Sequence, residues 1–121
     1  MHTDPDTQPT QQGRALACQA AREFNIPVQL AEILQRRGFD SLETLRDFRG
    51  VSIAAINGYA MGGGLECALA CDIRIAERQA QMALPEATVG LLPCAGGTQA
   101  LPWLVGEGWA KRMILCGERI D

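Results

Sequence analysis

Two glutamates in largely apolar surroundings are the residues of this chain best suited to proton chemistry. Glu66 follows a run of three glycines, and Glu86 lies in the mostly apolar stretch MALPEATVGLLP. Glu66 is expected in the first turn of the helix that the glycines open, within reach of anything bound there. Glu86 is an isolated carboxyl among apolar neighbours and is expected to have a raised pKa, which suits a proton donor near neutral pH. The alternative interpretation is structural: Glu66 is a favourable negative charge in the first turn of a helix, and Glu86 is a surface-loop residue.

The glycine triplet Gly62–Gly64 is the second feature with chemical potential. Because glycine has no Cβ, the backbone can approach a ligand closely, and the first N–H groups of the following helix point out of its positive end. Such a turn can hold a phosphate or a developing oxyanion. The spacing matches neither the dinucleotide fingerprint nor the P-loop, so an oxyanion site and a close-packed turn remain as two interpretations.

The elements around the triplet predict an α/β protein. The apolar run Val51–Asn57 contains β-branched residues, as is typical of a strand buried on both faces. The order of strand, glycine turn, helix and strand is that of a βαβ unit. The later elements are a helix over about Leu65–Cys71, a strand over Ile73–Ala76, and helices around Thr98–Leu101 and through Trp109–Ile114.

The N-terminal part of the sequence has a different character. Residues 1–13 are polar and without hydrophobic periodicity, so they are predicted to be a disordered tail. Residues 14–50 predict three short helices, and the third has Leu42, Leu45 and Phe48 on its apolar face. Nothing in this helical segment suggests catalysis.

The overall composition predicts a soluble globular protein. The hydrophobic fraction is 47%, the charged fraction is 21% and the formal net charge is −3. These values give no electrostatic attraction to nucleic acid or to an anionic membrane surface. No apolar run reaches the length of a membrane span and no signal-peptide pattern opens the chain, so a cytoplasmic location is expected.

The five cysteines predict no metal site. Their number is odd, no CxxC motif occurs, and the one histidine, His2, lies in the polar tail. Zinc sites use close-set pairs of Cys and His ligands, which this chain lacks. Cys67 and Cys71 are one helical turn apart and are interpreted as small core residues.

The stretch Asn57–Gly106 resembles the centre of the crotonase (enoyl-CoA hydratase/isomerase) superfamily. The matching motifs are the A-x-N-G-x-A-x-G-G-G-x-E turn and helix, the C-D-I-R-I-A strand, the P-E dipeptide and the P-x-x-G-G-T-Q segment. Several separate motifs agree in order and spacing, so residues 51–121 are identified as a partial crotonase-like core. The resemblance implies a truncated crotonase-like ββα core, preceded by a helical segment of unclear origin over residues 14–50.

The resemblance also implies roles for individual residues. Family members hold the thioester oxygen of an acyl-CoA with two backbone N–H groups, and Gly63 stands at the position of one donor. Glu66 would orient and deprotonate a water molecule, and Glu86 would exchange the proton at the α-carbon. Isomerase relatives usually keep only the acid at the position of Glu86, so both acids together favour hydration of a 2-enoyl-CoA. No metal or redox cofactor is implied, since coenzyme A is part of the substrate, and family trimers suggest a homo-oligomer.

The sequence also departs from the family pattern. The second N–H donor normally comes from a small-residue A-G-x-D stretch, and none precedes Gly50. Cys94 stands where glycine is usual, and Ala100 and Trp103 stand where arginines are common. The resemblance therefore implies either a lyase impaired by truncation or a non-catalytic fragment that acts as a structural or interaction module. The segment Arg22–Phe48 also weakly resembles the helical lead of DHH-type single-strand exonucleases, but without that family's metal-binding aspartates.

Overall fold

The computed structural model describes residues 42–121, and it confirms the predicted α/β class. The elements in chain order are α1 (Leu42–Arg46), β1 (Ile53–Ile56), β2 (Tyr59–Met61), α2 (Gly63–Ala70), β3 (Ile73–Ala76), β4 (Gln81–Ala83), a 3₁₀ helix (Pro85–Val89), α3 (Gly97–Val105) and α4 (Glu107–Leu115). The predicted disordered tail and the first two predicted helices fall within residues 1–41 and lie outside the described residues.

The four strands form two parallel pairs. β1 pairs with β3 in a register that aligns Ile53 with Ile73, and β2 pairs with β4 in a register that aligns Met61 with Ala83. The predicted order of strand, glycine turn, helix and parallel strand is therefore confirmed, with β2 as an additional strand before the glycines. The sequence pattern predicts neither β2 nor β4, because three residues are too few to establish a strand period.

The apolar run that forms β1 is covered on one face only, so the prediction of a strand buried on both faces is wrong. Ile56 is buried in the core, whereas Ile53 is 57% exposed. The neighbouring strand has the same outward face, with Ile73 46% and Ile75 60% exposed. The physical reason is that the described core packs against one face of this pair, and alternate side chains of a strand point to opposite faces.

Hydrogen bonds between Ser52 and Asp72 join the beginnings of β1 and β3. The N–H and the hydroxyl of Ser52 donate to Oδ2 of Asp72 at 2.8 and 2.7 Å, and the N–H of Asp72 donates to Oγ of Ser52 at 3.0 Å. The two bonds from Ser52 lower the pKa of the Asp72 carboxyl, because they stabilise its charged form. The pair fixes how β3 returns alongside β1.

The core lies between the β2–β4 pair and the helices α2, α3 and α4. Leu84 and Met113 are fully buried within it. The last residues of the chain reach the same region, because Ile120 forms an antiparallel bridge with Met82 of β4. The buried cluster consists of Ile56, Ala60, Leu65, Ala68, Ala80, Leu84, Leu101, Ala110 and Met113. No helix within residues 42–121 has the length and apolar character that crossing a membrane requires.

The short helix α1 corresponds to the third predicted helix. Leu42 and Leu45 are buried, as the predicted apolar face requires. The prediction is wrong for Phe48, which lies beyond the end of the helix and is 48% exposed. Its ring lies against the backbone of Gly50, where an added Cβ would be 2.6 Å from the ring. α1 thus buries two leucines and lies against α2.

Candidate active site

The pairing of β2 with β4 explains why Glu66 and Glu86, twenty residues apart in sequence, both follow strands that end at the same edge of a sheet. The carboxyl ends of parallel neighbours meet at the same edge of a sheet. β2 ends at Met61 and leads through the glycine turn into α2, whose first turn carries Glu66. β4 ends at Ala83 and leads into the 3₁₀ helix, whose first turn carries Glu86. Both predicted acids therefore begin from the same sheet edge.

The glycine turn is fastened to this edge. The N–H of Gly62 donates to the carbonyl of Ala83 at 2.9 Å. Gly62 has φ 54° and ψ −127°, a backbone conformation that glycine adopts far more easily than residues with a Cβ. Gly63 is buried and opens α2, so the predicted position of Gly63 at the helix N-terminus is confirmed. Its N–H is one of the first-turn groups that have no acceptor within the helix.

Glu66 is a buried and anchored carboxylate. Glu66 is only 2% exposed. Oε1 accepts hydrogen bonds from the N–H of Ala95 at 2.9 Å and from the N–H of Gly97 at 2.7 Å. Burying a carboxylate is costly unless it is hydrogen-bonded, and these two donors offset that cost. Gly97 is also the first residue of α3, so the carboxylate lies at the positive end of a second helix.

Glu86 lies in a different environment. Burial raises the pKa of its carboxyl, its own backbone N–H partly offsets that effect, and the nearby charge of Glu66 raises the pKa further. Its Oε2 is buried, and among the described side chains it is the one buried oxygen or nitrogen without a hydrogen-bond partner. These properties differ from those of a carboxylate in a surface loop. A carboxyl with a raised pKa and a free oxygen is suited to deliver a proton.

The two acids are therefore close together but lie in different environments. Glu66 is near enough for its charge to act on the Glu86 carboxyl, yet it alone is held by two backbone donors. Pairs of carboxyls in unlike environments can divide acid and base roles between them. The arrangement is suited to one carboxyl taking up a proton while the other gives one up.

The role of Ala95 and Gly97 was not predicted from the sequence. Both lie in the P-x-x-G-G-T-Q segment, which in the sequence was a family motif without an assigned contact. Backbone donors carry no side-chain signature, but the adjacent glycines were an available signal. At Gly97 a Cβ would lie 2.9 Å from Oε1 of Glu66 and 3.0 Å from Cδ1 of Leu84. Glycine is therefore required there to let the loop approach the carboxylate.

Cys67 of α2 and Cys71, the C-cap residue of the same helix, are half-buried. The thiol of Cys71 donates to the carbonyl of Cys67 at 3.5 Å. Burial, with a smaller contribution from Cys71, raises the pKa of Cys67 to about 11. The thiolate is the nucleophilic form of cysteine, and a pKa this high leaves little of it at neutral pH. Cys67 is therefore poorly suited to act as a nucleophile.

Comparison with known proteins places these features in a family. Residues 19–121 match the family model described as enoyl-CoA hydratase/isomerase. The human protein named enoyl-CoA hydratase domain-containing protein 2, mitochondrial, is 55% identical over 101 residues, which are 83% of this chain and 34% of that protein. The 2,3-dehydroadipyl-CoA hydratase of Escherichia coli (strain K12) is 50% identical over 76 residues, which are 63% of this chain and 30% of that protein.

A solved structure agrees with this match. The structure of Pseudomonas aeruginosa DspI has 87% sequence identity and a TM-score of 0.66, covering 74% of this chain and 34% of that one. The chain spans about a third of the length of the curated relatives named above. The range matched by the family model begins upstream of Val51, so it includes residues outside the motifs quoted from the sequence. With a family model that covers most of its length and a crotonase-like partial core, the chain belongs to the enoyl-CoA hydratase/isomerase family.

Proposed function

We propose that this chain carries the site of an enoyl-CoA hydratase-type lyase, which adds water across the 2,3 double bond of a 2-enoyl-CoA thioester. The observation that carries the proposal is the pair of acids at one sheet edge. Glu66 is anchored by two N–H groups, and Glu86 has a raised pKa and an unpartnered buried oxygen. An isomerase needs only the acid at the position of Glu86, so the presence of both favours hydration.

The residues divide the reaction as follows. The N–H of Gly63 donates a hydrogen bond to the thioester oxygen and stabilises the negative charge that develops there. Glu66 takes a proton from water as the water oxygen bonds to the β-carbon. Glu86 gives its proton to the α-carbon. The proton held by Glu66 then passes through solvent to Glu86, so that Glu66 is again ionised and Glu86 is again protonated. No redox cofactor or metal enters this scheme, and coenzyme A takes part only as the substrate's thioester.

The expected rate is low. The sequence contains one of the two N–H positions that relatives use for the thioester oxygen, because no A-G-x-D stretch precedes Gly50. Loss of one such donor costs roughly 10²–10³ in kcat in other enzymes. Poor holding of the coenzyme A part lowers the rate further, because catalysis depends on fixing the reacting atoms within a narrow geometry.

A second candidate function is that of a non-catalytic structural or interaction module. The observation that favours it is the outward face of the β1–β3 pair, where Ile53, Ile73 and Ile75 are exposed together with Val51, which is 68% exposed. Contiguous apolar surface is more typical of a contact face than of free solvent-facing surface. The two candidates differ in ligand binding, since only the enzyme is expected to bind an acyl-CoA.

The deciding experiment follows crotonyl-CoA with the whole chain and with Glu86→Gln. Binding is measured by calorimetry, and hydration by the loss of the conjugated enoyl absorbance. For the lyase we expect binding to both proteins and slow hydration that the substitution abolishes. Equal background rates together with no binding would reject the lyase and favour the module. A rate near that of an ordinary hydratase, abolished by the substitution, would show that a second donor is present after all.

A further inference from the structure

Arg46 of α1 contacts the loop Ala95–Gly97, whose N–H groups bind Glu66. Its Nη2 donates to the carbonyl of Ala95 at 2.8 Å. The guanidinium also lies directly against Gly96, because a Cβ added to that glycine would collide with Nη2. Gly96 has φ 96° and is the N-cap of α3. An arginine on a helix that showed no catalytic signature in the sequence is therefore in contact with the start of α3.

The same three-residue loop contacts Glu66 on its inner side. The N–H groups of Ala95 and Gly97 both donate to Oε1 of Glu66, while the carbonyl of Ala95 faces Arg46. The carbonyl held by Arg46 and the N–H groups that hold the glutamate belong to adjacent peptide units. Arg46 therefore acts on Glu66 by fixing the orientation of the loop, without touching the carboxylate itself.

The helix that carries Arg46 is anchored by two buried leucines. Leu42 and Leu45 are 4% and 7% exposed and hold α1 against the rest of the protein. Arg46 is the last residue of this helix, and its guanidinium donates to the loop. A charged donor on a backbone carbonyl is stronger than a neutral one. This hydrogen bond, called the Arg46 clamp below, joins α1 to the loop that holds the buried carboxylate of Glu66.

We propose that Arg46 is a positioning residue for Glu66, acting through the loop Ala95–Gly97. The clamp keeps both N–H donors aimed at Oε1 and so keeps the carboxylate in one orientation. The structural part of this proposal stands on the contacts alone. Its catalytic consequence rests on the proposed function, in which Glu66 takes a proton from water.

The test is backbone amide NMR on the whole ¹⁵N-labelled chain, following the amides of Ala95 and Gly97. Hydrogen bonds to a carboxylate move amide protons downfield and slow their exchange. In Arg46→Gln we expect both amides to move upfield and to exchange about fivefold faster or more, the effect of losing one hydrogen bond. The downfield shift and slow exchange of these two amides are called the amide signature. Arg46→Lys is expected to retain most of this amide signature, because an ammonium group can still donate to the carbonyl of Ala95.

The matched control is Arg49→Gln, which removes an equal charge from an exposed arginine of the same segment. It is expected to leave both amides unchanged and to keep the urea midpoint of the unaltered chain. Unchanged amides in Arg46→Gln would overturn the proposal, as would equal shifts in the control. If Arg46→Gln fails to fold, Arg46→Lys decides alone: a partial shift confined to these amides supports the clamp, and no shift rejects it.

A kinetic measurement separates this proposal from the proposed function. If the chain hydrates crotonyl-CoA, Arg46→Gln is expected to lower kcat by roughly tenfold or more with little change in KM, because misplacement of a reacting group affects the chemical step. A change in KM alone would overturn the catalytic consequence. Loss of the amide signature in a chain without any hydration would reject the proposed function and support the positioning role.

Discussion

The N–H of Gly97 donates to Oε1 of Glu66 at 2.7 Å, so the first residue of α3 holds an acid that stands in the first turn of α2. Two helices that begin at different places in the chain thus share one carboxylate. The contact requires close approach, since any side chain at position 97 would occupy the space of the Glu66 side chain. The arrangement makes the glycine and the glutamate dependent on each other.

Gly97→Ala is expected to destabilise the protein and to displace Glu66. The new Cβ would lie 2.9 Å from Oε1 and 3.1 Å from Cγ of Glu66, and 3.0 Å from Cδ1 of Leu84. Overpacking of this kind costs about 1–3 kcal/mol, which urea unfolding measures. The control is Gly108→Ala in α4, where nothing lies within 4 Å and alanine stabilises the helix by up to about 1 kcal/mol. Equal unfolding free energies for the two variants would contradict the prediction.

The pKa of Glu86 is expected to fall in Glu66→Gln. Burial is the main cause of its raised pKa, and the charge of Glu66 adds to it; the substitution removes the second cause and leaves the first. Carboxyl ¹³C NMR titration of the whole chain measures the change. Glu107→Gln, at an exposed residue paired with Lys111, serves as the control and is expected to leave Glu86 unaltered. A Glu86 pKa that does not fall would mean that the two acids are not coupled.

The same raised pKa sets a pH dependence of stability. A carboxyl whose pKa is higher in the folded than in the unfolded protein favours folding when it is protonated. The contribution of Glu86 is therefore fully present below its ordinary pKa and is lost as the pH rises through its folded value. Glu86→Gln, which cannot ionise, is expected to lack this loss. Urea unfolding at a series of pH values compares the two proteins, and parallel curves would contradict the prediction.

Asp72 is expected to show the opposite dependence. The N–H and the hydroxyl of Ser52 lower its folded pKa, so its contribution to stability is present above the unfolded pKa and is lost as the pH falls through the folded value. Ser52→Ala removes the hydroxyl bond and is expected to raise the pKa of Asp72. Ser52→Thr keeps a hydroxyl and is expected to keep most of the shift. NMR titration of Asp72 in the three proteins tests this, and a pKa unchanged by alanine would refute it.

Leu84→Ala is expected to cost about 2–5 kcal/mol of unfolding free energy. Leu84 is 0% exposed and lies between β4 and the 3₁₀ helix that carries Glu86. Its truncation leaves a cavity beneath the site, so we expect looser packing of the glutamate as well as lower stability. Leu104→Ala, at a leucine that is 50% exposed, is the control and should cost far less. Similar losses in both variants would show that the site edge is not part of the core.

The sequence predicted the elements that carry a strong local signal. The apolar run of β1 and the glycine triplet predicted a parallel βαβ order and the position of Gly63, because strand composition and glycine turns are properties of neighbouring residues. The sequence could not show that Ile53 faces outward, since a continuous apolar run does not say which face is covered. The proximity of Glu66 and Glu86 depends on the pairing of two three-residue strands, which have no detectable period.

The contacts of Glu66 were beyond sequence reasoning for another reason. Its partners are the backbone N–H groups of Ala95 and Gly97, and every residue except proline has such a group. Arg46 likewise contacts a carbonyl, so no complementary charge in the sequence identifies its partner. Glu86 was predicted because an acid in an apolar stretch is unusual, and Glu66 because it follows the glycine turn. What holds Glu66 was not predicted, because main-chain groups are common to all residues.

The bridge between Met82 and Ile120 has a consequence for association through strand addition. Met82 both donates to and accepts from Ile120, at 2.9 Å in each direction. Its neighbours bond to the other side, since Gln81 donates to Gly58 and Ala83 accepts from Gly62. Unpaired main-chain groups along a strand are what recruits a foreign strand, and the middle of β4 offers none. A second chain cannot extend the sheet at Met82 without first displacing Ile120, so the strand that leads to Glu86 is protected from intermolecular pairing by the chain's own last residues.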